Sequence, residues 1–413
     1  MRKDRKKGLI ALLTNHDDDV YCFRRELIEG LVNEGYDMLI SCPYGEKFEL
    51  MSDISYIYDD PVIDRRGTNV IADLKLLGHY IILFGKYRPD AVLTYTAKPN
   101  VYAGMAAHIF GIPVISNVTG LGSVLKEDGL KQKFILNLFK FAYRQSACIM
   151  FQNSENMKLA VRGGMVTGKR EGRFSLFSSL MYGAAGGSRP KKGKDYMLIP
   201  GSGVNTVRFK KLPYPEGGDG ISGEKVVFNY IGRILKDKGV DDYIEAAKRI
   251  HSEFPQTEFN MIGFIEPTES HYEDDLKKLE KEGVVFYRGQ QKDVRPFIER
   301  AHAIIHPSTY GEGMSNVLLE NASSGRPVIT TDNPGCRETV NDGLSGYIYP
   351  GGDTDALCDS IRMFLKLPNE KRKRMGDSGR LRMERNFSRD KVVKAYSDML
   401  AYILKNKEEV KDA

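Results

Sequence analysis

Residues 303–320 read Ala303-Ile304-Ile305-His306-Pro307-Ser308-Thr309-Tyr310-Gly311-Glu312-Gly313-Met314-Ser315-Asn316-Val317-Leu318-Leu319-Glu320. The first four residues form a short strand that runs out through Pro307, two glycines turn the chain, and a helix is expected from near Ser315 to before Gly325. Gly311 and Gly313 let the backbone come close to a ligand. The N–H groups at the helix start, with the positive end of its dipole, suit an anionic group. The turn reads as a phosphate seat. Glu312 in the loop and Glu320 two turns into the helix are spaced so that one faces a sugar and the other a ribose, each able to accept two hydroxyl hydrogen bonds. A βαβ unit whose glycines merely turn the chain would leave these two carboxylates unexplained.

Around this stretch stand Pro307-Ser308, then Gly325-Arg326-Pro327-Val328-Ile329 and Asn333-Pro334-Gly335-Cys336-Arg337-Glu338. With the Glu312 and Glu320 pair, the ordered run resembles the donor-site signature of family 4 retaining glycosyltransferases. Upstream, Val226 to Ile231 reads as a strand followed by Gly232, Arg233 and, after a turn, Lys238-Gly239. Arg233 and Lys238 resemble that family's donor-diphosphate pair, a guanidinium fork and an ammonium that jointly neutralise a pyrophosphate leaving group. Strands at Phe259 to Gly263, Val284 to Arg288 and Ala303 to His306 alternate with helices, giving a parallel sheet. His306 reads as a wall residue of the strand end and Cys336 as loop packing, since neither has a partner in the pattern.

The beginning of the chain repeats the strand and helix alternation. Gly8 to Leu13 is a strand, Thr14-Asn15-His16-Asp17-Asp18-Asp19 a loop, and Phe23, Leu27, Ile28 and Leu31 fall at helical spacing before Gly35 and a strand from Tyr36 to Ser41. Such an opening is Rossmann-like, with its ligand cleft at the carboxyl ends of the strands. His16 and the three aspartates read as a solvated turn more readily than as a metal cluster. Ala91 to Tyr95 is a strand and Pro99 to Phe110 a helix. Lys98 between them is either a cation for an acceptor phosphate or an exposed lysine at a helix start. Pro113 to Val118 is a strand ending in Thr119-Gly120-Leu121-Gly122-Ser123.

Thr96 to Tyr102, Asn117 to Gly122 and Gly201-Ser202-Gly203-Val204-Asn205 together resemble the branch of family 4 that adds a hexose or N-acetylhexosamine to undecaprenyl-diphosphate-linked sugars. The resemblance implies the GT-B architecture: α/β, two Rossmann-like doubly wound domains facing a cleft. Residues 1–205 would bind the acceptor and 206–388 the nucleotide-sugar donor, with Leu212 to Gly223 as linker and the last helix, 389–413, crossing back onto the first domain. It implies that Glu312, Arg233 and Lys238 carry the chemistry. Gly232, Gly313, Met314, Ser315, Asn316 and Glu320 would hold the donor, with Glu320 on the ribose and Glu312 orienting the sugar. Asn15, Lys98, Thr119, Gly120 and Gly122 would face the acceptor. Cations and a helix dipole suffice to stabilise a departing diphosphate, so no cofactor and no metal is expected. No histidine stands in the Thr-Gly-Leu-Gly loop, so no histidine base is assigned. A soluble-acceptor transferase, a GT-B nucleotide-sugar epimerase and a non-catalytic nucleotide-sugar binding protein are the alternatives.

The 413 residues fit about two domains, and 41% hydrophobic content supplies full cores. Five cysteines, Cys22, Cys42, Cys148, Cys336 and Cys358, include no Cys-x-x-Cys pair, which argues against zinc or disulfides and for a reducing, cytoplasmic setting. No apolar run approaches a membrane span, and Met1 to Lys7 lacks the apolar stretch of a signal peptide. Residues 1–7, 126–144 and 162–194 carry net +4, +3 and +7, leaving the rest at −8 within a total of +6. Such local basic excess favours peripheral contact with an anionic membrane surface over nucleic acid, for which no recognition motif is present. Lys126 to Gln145 is the helix expected at that surface, with Phe134, Leu138, Phe141 and Ala142 on one face and Lys133, Asn137, Lys140 and Arg144 on another; ordinary packing on the sheet is the alternative. Residues 163–194, rich in Gly, Ser, Arg and Lys, read as a mobile basic insertion.

Overall fold

A computed structural model describes residues 7–64, 69–120, 130–166, 195–216 and 225–411, with the backbone alone for 130–135, 195 and 406–411. The chain divides into two compact units, Met1–Gly203 with Arg389–Ala413, and Val204–Ser388.

The first unit is built on a parallel seven-stranded sheet: β1 (Leu9–Leu13), β2 (Asp37–Ser41), β3 (Ile57–Asp59), β4 (Ala91–Tyr95), β5 (Val114–Val118), β6 (Cys148–Phe151) and β7 (Asp195–Leu198), in the order β3-β2-β1-β4-β5-β6-β7. Strand β1 shows why its sequence does not alternate. Ile10 and Leu12 pack with Leu27 and Leu31 of helix α1 (Asp17–Asn33) and with Tyr396 and Leu400 of the C-terminal helix Arg389–Lys411. Leu9, Ala11 and Leu13 face Leu76, Tyr80, Leu83 and Phe84 of helix α2 (Val70–Tyr87). A strand covered on both faces reads as a continuous apolar run, and each fully buried Leu or Ile contributes about 2 kcal/mol. The final helix is tied into this unit by Arg389 on the Glu26 carboxylate at 2.6 Å and by Tyr396 on Asn117.

The second unit holds a parallel sheet of β8 (Val226–Ile231), β9 (Thr257–Ile262), β10 (Val285–Tyr287), β11 (Ala303–His306), β12 (Val328–Thr331) and β13 (Gly346–Tyr349), ordered β10-β9-β8-β11-β12-β13. In each sheet the chain order reverses once, between β1 and β4 and between β8 and β11. A crevice opens at the carboxyl ends of the strands at such a switch point.

The expected linker differs. Its described part, residues 212–216, is strapped onto the second unit: Leu212 N–H donates to the Ser324 carbonyl, the Tyr214 hydroxyl to the His302 carbonyl at 2.8 Å, and the fully buried Arg326 to the Pro213 carbonyl at 2.7 Å. Pro213 and Pro215 have no N–H and keep the segment extended, which presents carbonyls to these donors. Proline content signals an extended strap as readily as a hinge.

His302, 2% exposed, accepts the Val227 N–H on Nδ1 at 3.1 Å. Burial, then Arg372 and Arg326, lower its pKa to about 4. The neutral ring therefore adds stability that is complete above the unfolded value of ~6.5 and is lost as pH falls through about 4, worth about 3 kcal/mol. Urea unfolding of the full chain between pH 7 and pH 4 should show that loss, and His302→Asn, which keeps an acceptor without the titration, should flatten it. Equal pH slopes in the two proteins would refute the assignment.

Candidate functional site

The second unit's switch point gathers its functional side chains by close backbone packing. Gly232 follows β8 and donates to the Ile262 carbonyl at 2.9 Å. Gly263 follows β9 at φ +149°, where a Cβ would lie 1.8 Å from the Gly232 oxygen. Gly239, at φ +73°, would place a Cβ 2.1 Å from the Pro307 oxygen, so the turn carrying Lys238 rests directly on the end of β11. These contacts put Lys238 against Glu312 in an ion pair whose side chains are only 12% and 14% exposed. His306 Nε2 and Ser308 Oγ each lie 3.5 Å from the same Glu312 oxygen. The Tyr310 ring sits 4.8 Å from Lys238 Nζ and 6.0 Å from the Arg233 guanidinium, within cation–π range. Arg233, one-third exposed, also approaches Glu266 at 3.4 Å.

Burial alone would raise the Glu312 carboxyl, but Lys238 and then His306 outweigh it and hold it down at about 2. Burial lowers the His306 pKa against the upward pull of Glu312, so the ring is neutral at pH 7. The site thus carries two cations, Lys238 beside Glu312 and Arg233 beside Glu266, with the Tyr310 ring within reach of both.

The helix Asn316–Ser323 starts at the edge of this cluster. Its N-cap residue, Ser315, turns its hydroxyl to His306 Nε2 at 3.3 Å and its N–H to the Gly335 carbonyl at 2.9 Å, so the Ser315 side chain does not cap the first turn. Gly335, at φ +89°, lies where a Cβ would meet Glu312 Cβ and the Gly313 oxygen at 2.9 Å, and its N–H donates to Glu338 at 2.7 Å. Asn333 bonds the Tyr310 carbonyl. The Asn333–Glu338 motif is therefore the wall that holds the 310–315 loop in place. Gly313, Met314 and Ser315 are buried; Glu312, Asn316 and Glu320 are half-buried, and Glu320 lies four residues after Asn316 on the same helix side. Cys336 is buried, its thiol pushed far up, as packing requires.

In the first unit, Asn15 follows β1 with its Oδ1 buried and without a hydrogen-bond partner among the described residues. The three aspartates do not form a turn. They are the first turn of α1, where acids suit the dipole, and His16 is the N-cap, accepting the Asp18 N–H at 3.1 Å. Ligand atoms of His16, Asp17 and Asp18 lie within 4.8 Å of one another, and Lys47 pairs with Asp18. Lys98 is neither exposed nor unpaired: it bonds Asp73 at 2.7 Å, and the Tyr102 hydroxyl bonds the other Asp73 oxygen at 2.9 Å. Thr96 before it takes φ +67°, a strained value for a β-branched residue, and the expected helix opens as a π-helical turn, Pro99–Ala103, before Gly104–Ile109. Thr119 is half-buried and Gly120 exposed. Gly122 and nearly all of the 163–194 insertion lie outside the described residues.

The helix expected at a membrane is described from Leu130, with side chains from Leu136. Phe139, Ala142 and Tyr143 are its buried stripe, and Phe141 points outward. Phe139 and Tyr143 stack at 5.4 Å and with Ala142 set the helix rotation, so of the face expected at a membrane Ala142 is buried in the core while Phe141 is exposed. The sequence pattern also does not single out Tyr310 or Gly263, and it leaves His306 as a wall. A glycine directly after a strand is the available signal for Gly263; nothing local marks Tyr310 or His306.

Two family models match the chain, "Glycosyl transferases group 1" over residues 218–382 and "Glycosyl transferase 4-like" over residues 9–153. The chain is 29% identical over 352 residues to a capsular polysaccharide biosynthesis glycosyltransferase, CapM, of Staphylococcus aureus, covering 83% of this chain and 85% of that one. It is 22% identical over 350 residues to a UDP-Gal:α-D-GlcNAc-diphosphoundecaprenol α-1,3-galactosyltransferase of Escherichia coli, covering 81% of each. In fold it is similar to the crystal structure of Anabaena HepE in complex with UDP and glucose, with a TM-score of 0.72, 16% identity, and coverage of 96% of this chain and 100% of that one. Two parallel Rossmann-like sheets with these family matches define a glycosyltransferase of the GT-B fold. The chain belongs to glycosyltransferase family 4.

Proposed function

We infer that the protein is a retaining glycosyltransferase that moves a hexose or N-acetylhexosamine from a nucleotide diphospho-sugar, a UDP-sugar, to a lipid-linked saccharide in surface polysaccharide assembly. The observation that carries this reading is the shielded Lys238–Glu312 pair beside the helix start at Ser315, whose side chain does not cap it. As the bond between the anomeric carbon and the phosphate oxygen breaks, negative charge collects on the diphosphate. Lys238, Arg233 and the first-turn N–H groups of the helix offset it. Glu312 orients the sugar and keeps Lys238 aimed, and Glu320 accepts from the ribose hydroxyls. Lys98, Asn15, Thr119 and Gly120 face the acceptor. The relative acting from UDP-Gal on a diphosphoundecaprenol-linked sugar supports the donor and acceptor classes. The local basic excess of residues 1–7, 126–144 and 162–194 supports action at the cytoplasmic surface of an anionic membrane. No helix among the described residues is long and apolar enough to cross that membrane.

The test is release of nucleoside diphosphate from UDP-, GDP- and ADP-sugars, with and without a membrane fraction containing polyprenyl-diphosphate sugars. Release only from a UDP-sugar and only with that fraction is expected. Glu320→Ala should raise the donor KM by roughly tenfold or more, the cost of two lost hydroxyl hydrogen bonds. Equal release without lipid would replace the lipid acceptor with a soluble one. Anomeric inversion in the product would overturn retention.

A further inference from the structure

Helix α2 buries Leu76, Tyr80, Leu83 and Phe84 on one side, and on the other it does not turn polar. Ile71, Leu74 and Ile82 are 67%, 60% and 72% exposed, and Val70 at the helix start is exposed as well. At helical spacing Ile71, Leu74, Lys75, Gly78, Ile82 and Lys86 share one stripe. Exposed Ile109, on the neighbouring helix Gly104–Ile109, lies beside Phe110, whose ring packs 5.0 Å from the Arg88 guanidinium at the end of α2. Lys75 and Lys86 are exposed on this stripe, and Arg88 is exposed just past the end of α2. The only carboxylate of α2, Asp73, is turned inward onto Lys98 and Tyr102. An apolar stripe bordered by cations, with no outward acid on the helix, is complementary to an anionic lipid interface. Its charge would repel a second copy of the same face.

We propose that the outer side of α2 docks the protein on an anionic bilayer, with Ile71, Leu74 and Ile82 entering the interface and Lys75, Lys86 and Arg88 meeting headgroups. Asp73, in the first turn of α2, holds Lys98 at the end of β4, so docking would set the proposed acceptor-side residues at the level of a lipid-linked diphosphate. That last step rests on the acceptor reading above; the docking itself does not.

The experiment is cosedimentation of the full chain with vesicles of phosphatidylethanolamine and phosphatidylglycerol, and with vesicles of phosphatidylcholine alone. Binding to the anionic vesicles is expected. It should fall at least about tenfold in Ile71→Ser/Leu74→Ser, which leaves the charge unchanged, and roughly tenfold at low salt in Lys75→Ala/Lys86→Ala. Unchanged thermal unfolding of both variants would show that they fold. Absence of wild-type binding overturns the proposal. So does wild-type-like binding by Ile71→Ser/Leu74→Ser, which would assign adsorption to the basic stretches 1–7 and 162–194. A concentration-dependent dimer abolished by the same serines would make this face a contact between copies. Turnover on detergent-solubilised acceptor fraction should be equal in wild type and the serine variant; no turnover in either, with vesicle binding intact, would count against the transferase reading alone.

Discussion

Lys238→Ala is expected to lower turnover by about 10²–10³-fold and to destabilise the second unit by roughly 3 kcal/mol. Two physical effects with different dependences are involved. The first is catalytic: an ammonium fixed beside the departing diphosphate is a preorganised charge, and losing one such donor typically costs that much rate. The second is structural. Glu312 is 14% exposed, and without Lys238 its carboxylate is left nearly buried without the cation that pairs with it, a situation that costs several kcal/mol. The double variant Lys238→Ala/Glu312→Ala should recover most of the stability and none of the turnover, because it removes the stranded charge but not the need for a cation. The pH dependence separates the two effects further. In the wild type the contribution of Glu312 is complete above an unfolded pKa of ~4.3 and is lost as pH falls through about 2. With Lys238 gone burial lifts the folded pKa above the unfolded ~4.3, so the penalty stands at neutral pH and the variant should recover stability on acidification where the wild type loses it. Urea unfolding and nucleoside diphosphate release on the three proteins decide the matter. A single variant as stable as wild type would show that Lys238 does not neutralise a buried Glu312, and one within tenfold of the wild-type rate would show that its charge does not serve the departing diphosphate.

What the sequence made legible follows from how local each signal was. The parallel sheets could be read because strands covered on both faces, such as Leu9–Leu13, are continuous apolar runs bounded by turn residues. The turn into the helix Asn316–Ser323 could be read because its elements, the two glycines, the loop carboxylate and the helix start, fall within a dozen residues. What stayed hidden depends on contacts between distant segments. Nothing near Lys98 in sequence announces Asp73 as its partner, and nothing near Lys238 indicates that Gly239 presses on Pro307 and so delivers the lysine to Glu312. The inward face of the helix Leu130–Gln145 is ambiguous in sequence for a related reason: two apolar stripes are possible, and the stacking of Phe139 on Tyr143 decides between them. The exposed apolar side of α2 does not show in the pattern, because a helix with apolar residues all round reads as buried and exposure is not written in the residue types.

Gly263→Ala should be among the most damaging single methyls in the second unit, for a reason that also tests how Arg233 is held. The added Cβ would stand 1.8 Å from the Gly232 oxygen, 2.8 Å from its carbonyl carbon and 3.6 Å from the Arg233 nitrogen, all backbone atoms that cannot swing aside. The ends of β8 and β9 must separate, breaking the Gly232 to Ile262 hydrogen bond and carrying Arg233 away from Tyr310 and Glu266. A loss of at least about 3 kcal/mol is expected, from overpacking added to a positive φ. Gly283→Ala provides the comparison: Gly283 also has a positive φ, +74°, but nothing lies within 4 Å of its added Cβ, so the cost should be the conformational ~1 kcal/mol alone. Titration with UDP, GDP and ADP should show the same contrast, with affinity for the preferred nucleotide reduced tenfold or more in Gly263→Ala and unchanged in Gly283→Ala. If the two alanines cost the same in urea unfolding, backbone contact between β8 and β9 is not what fixes Arg233, and its position would have to come from Glu266 and Tyr310 instead.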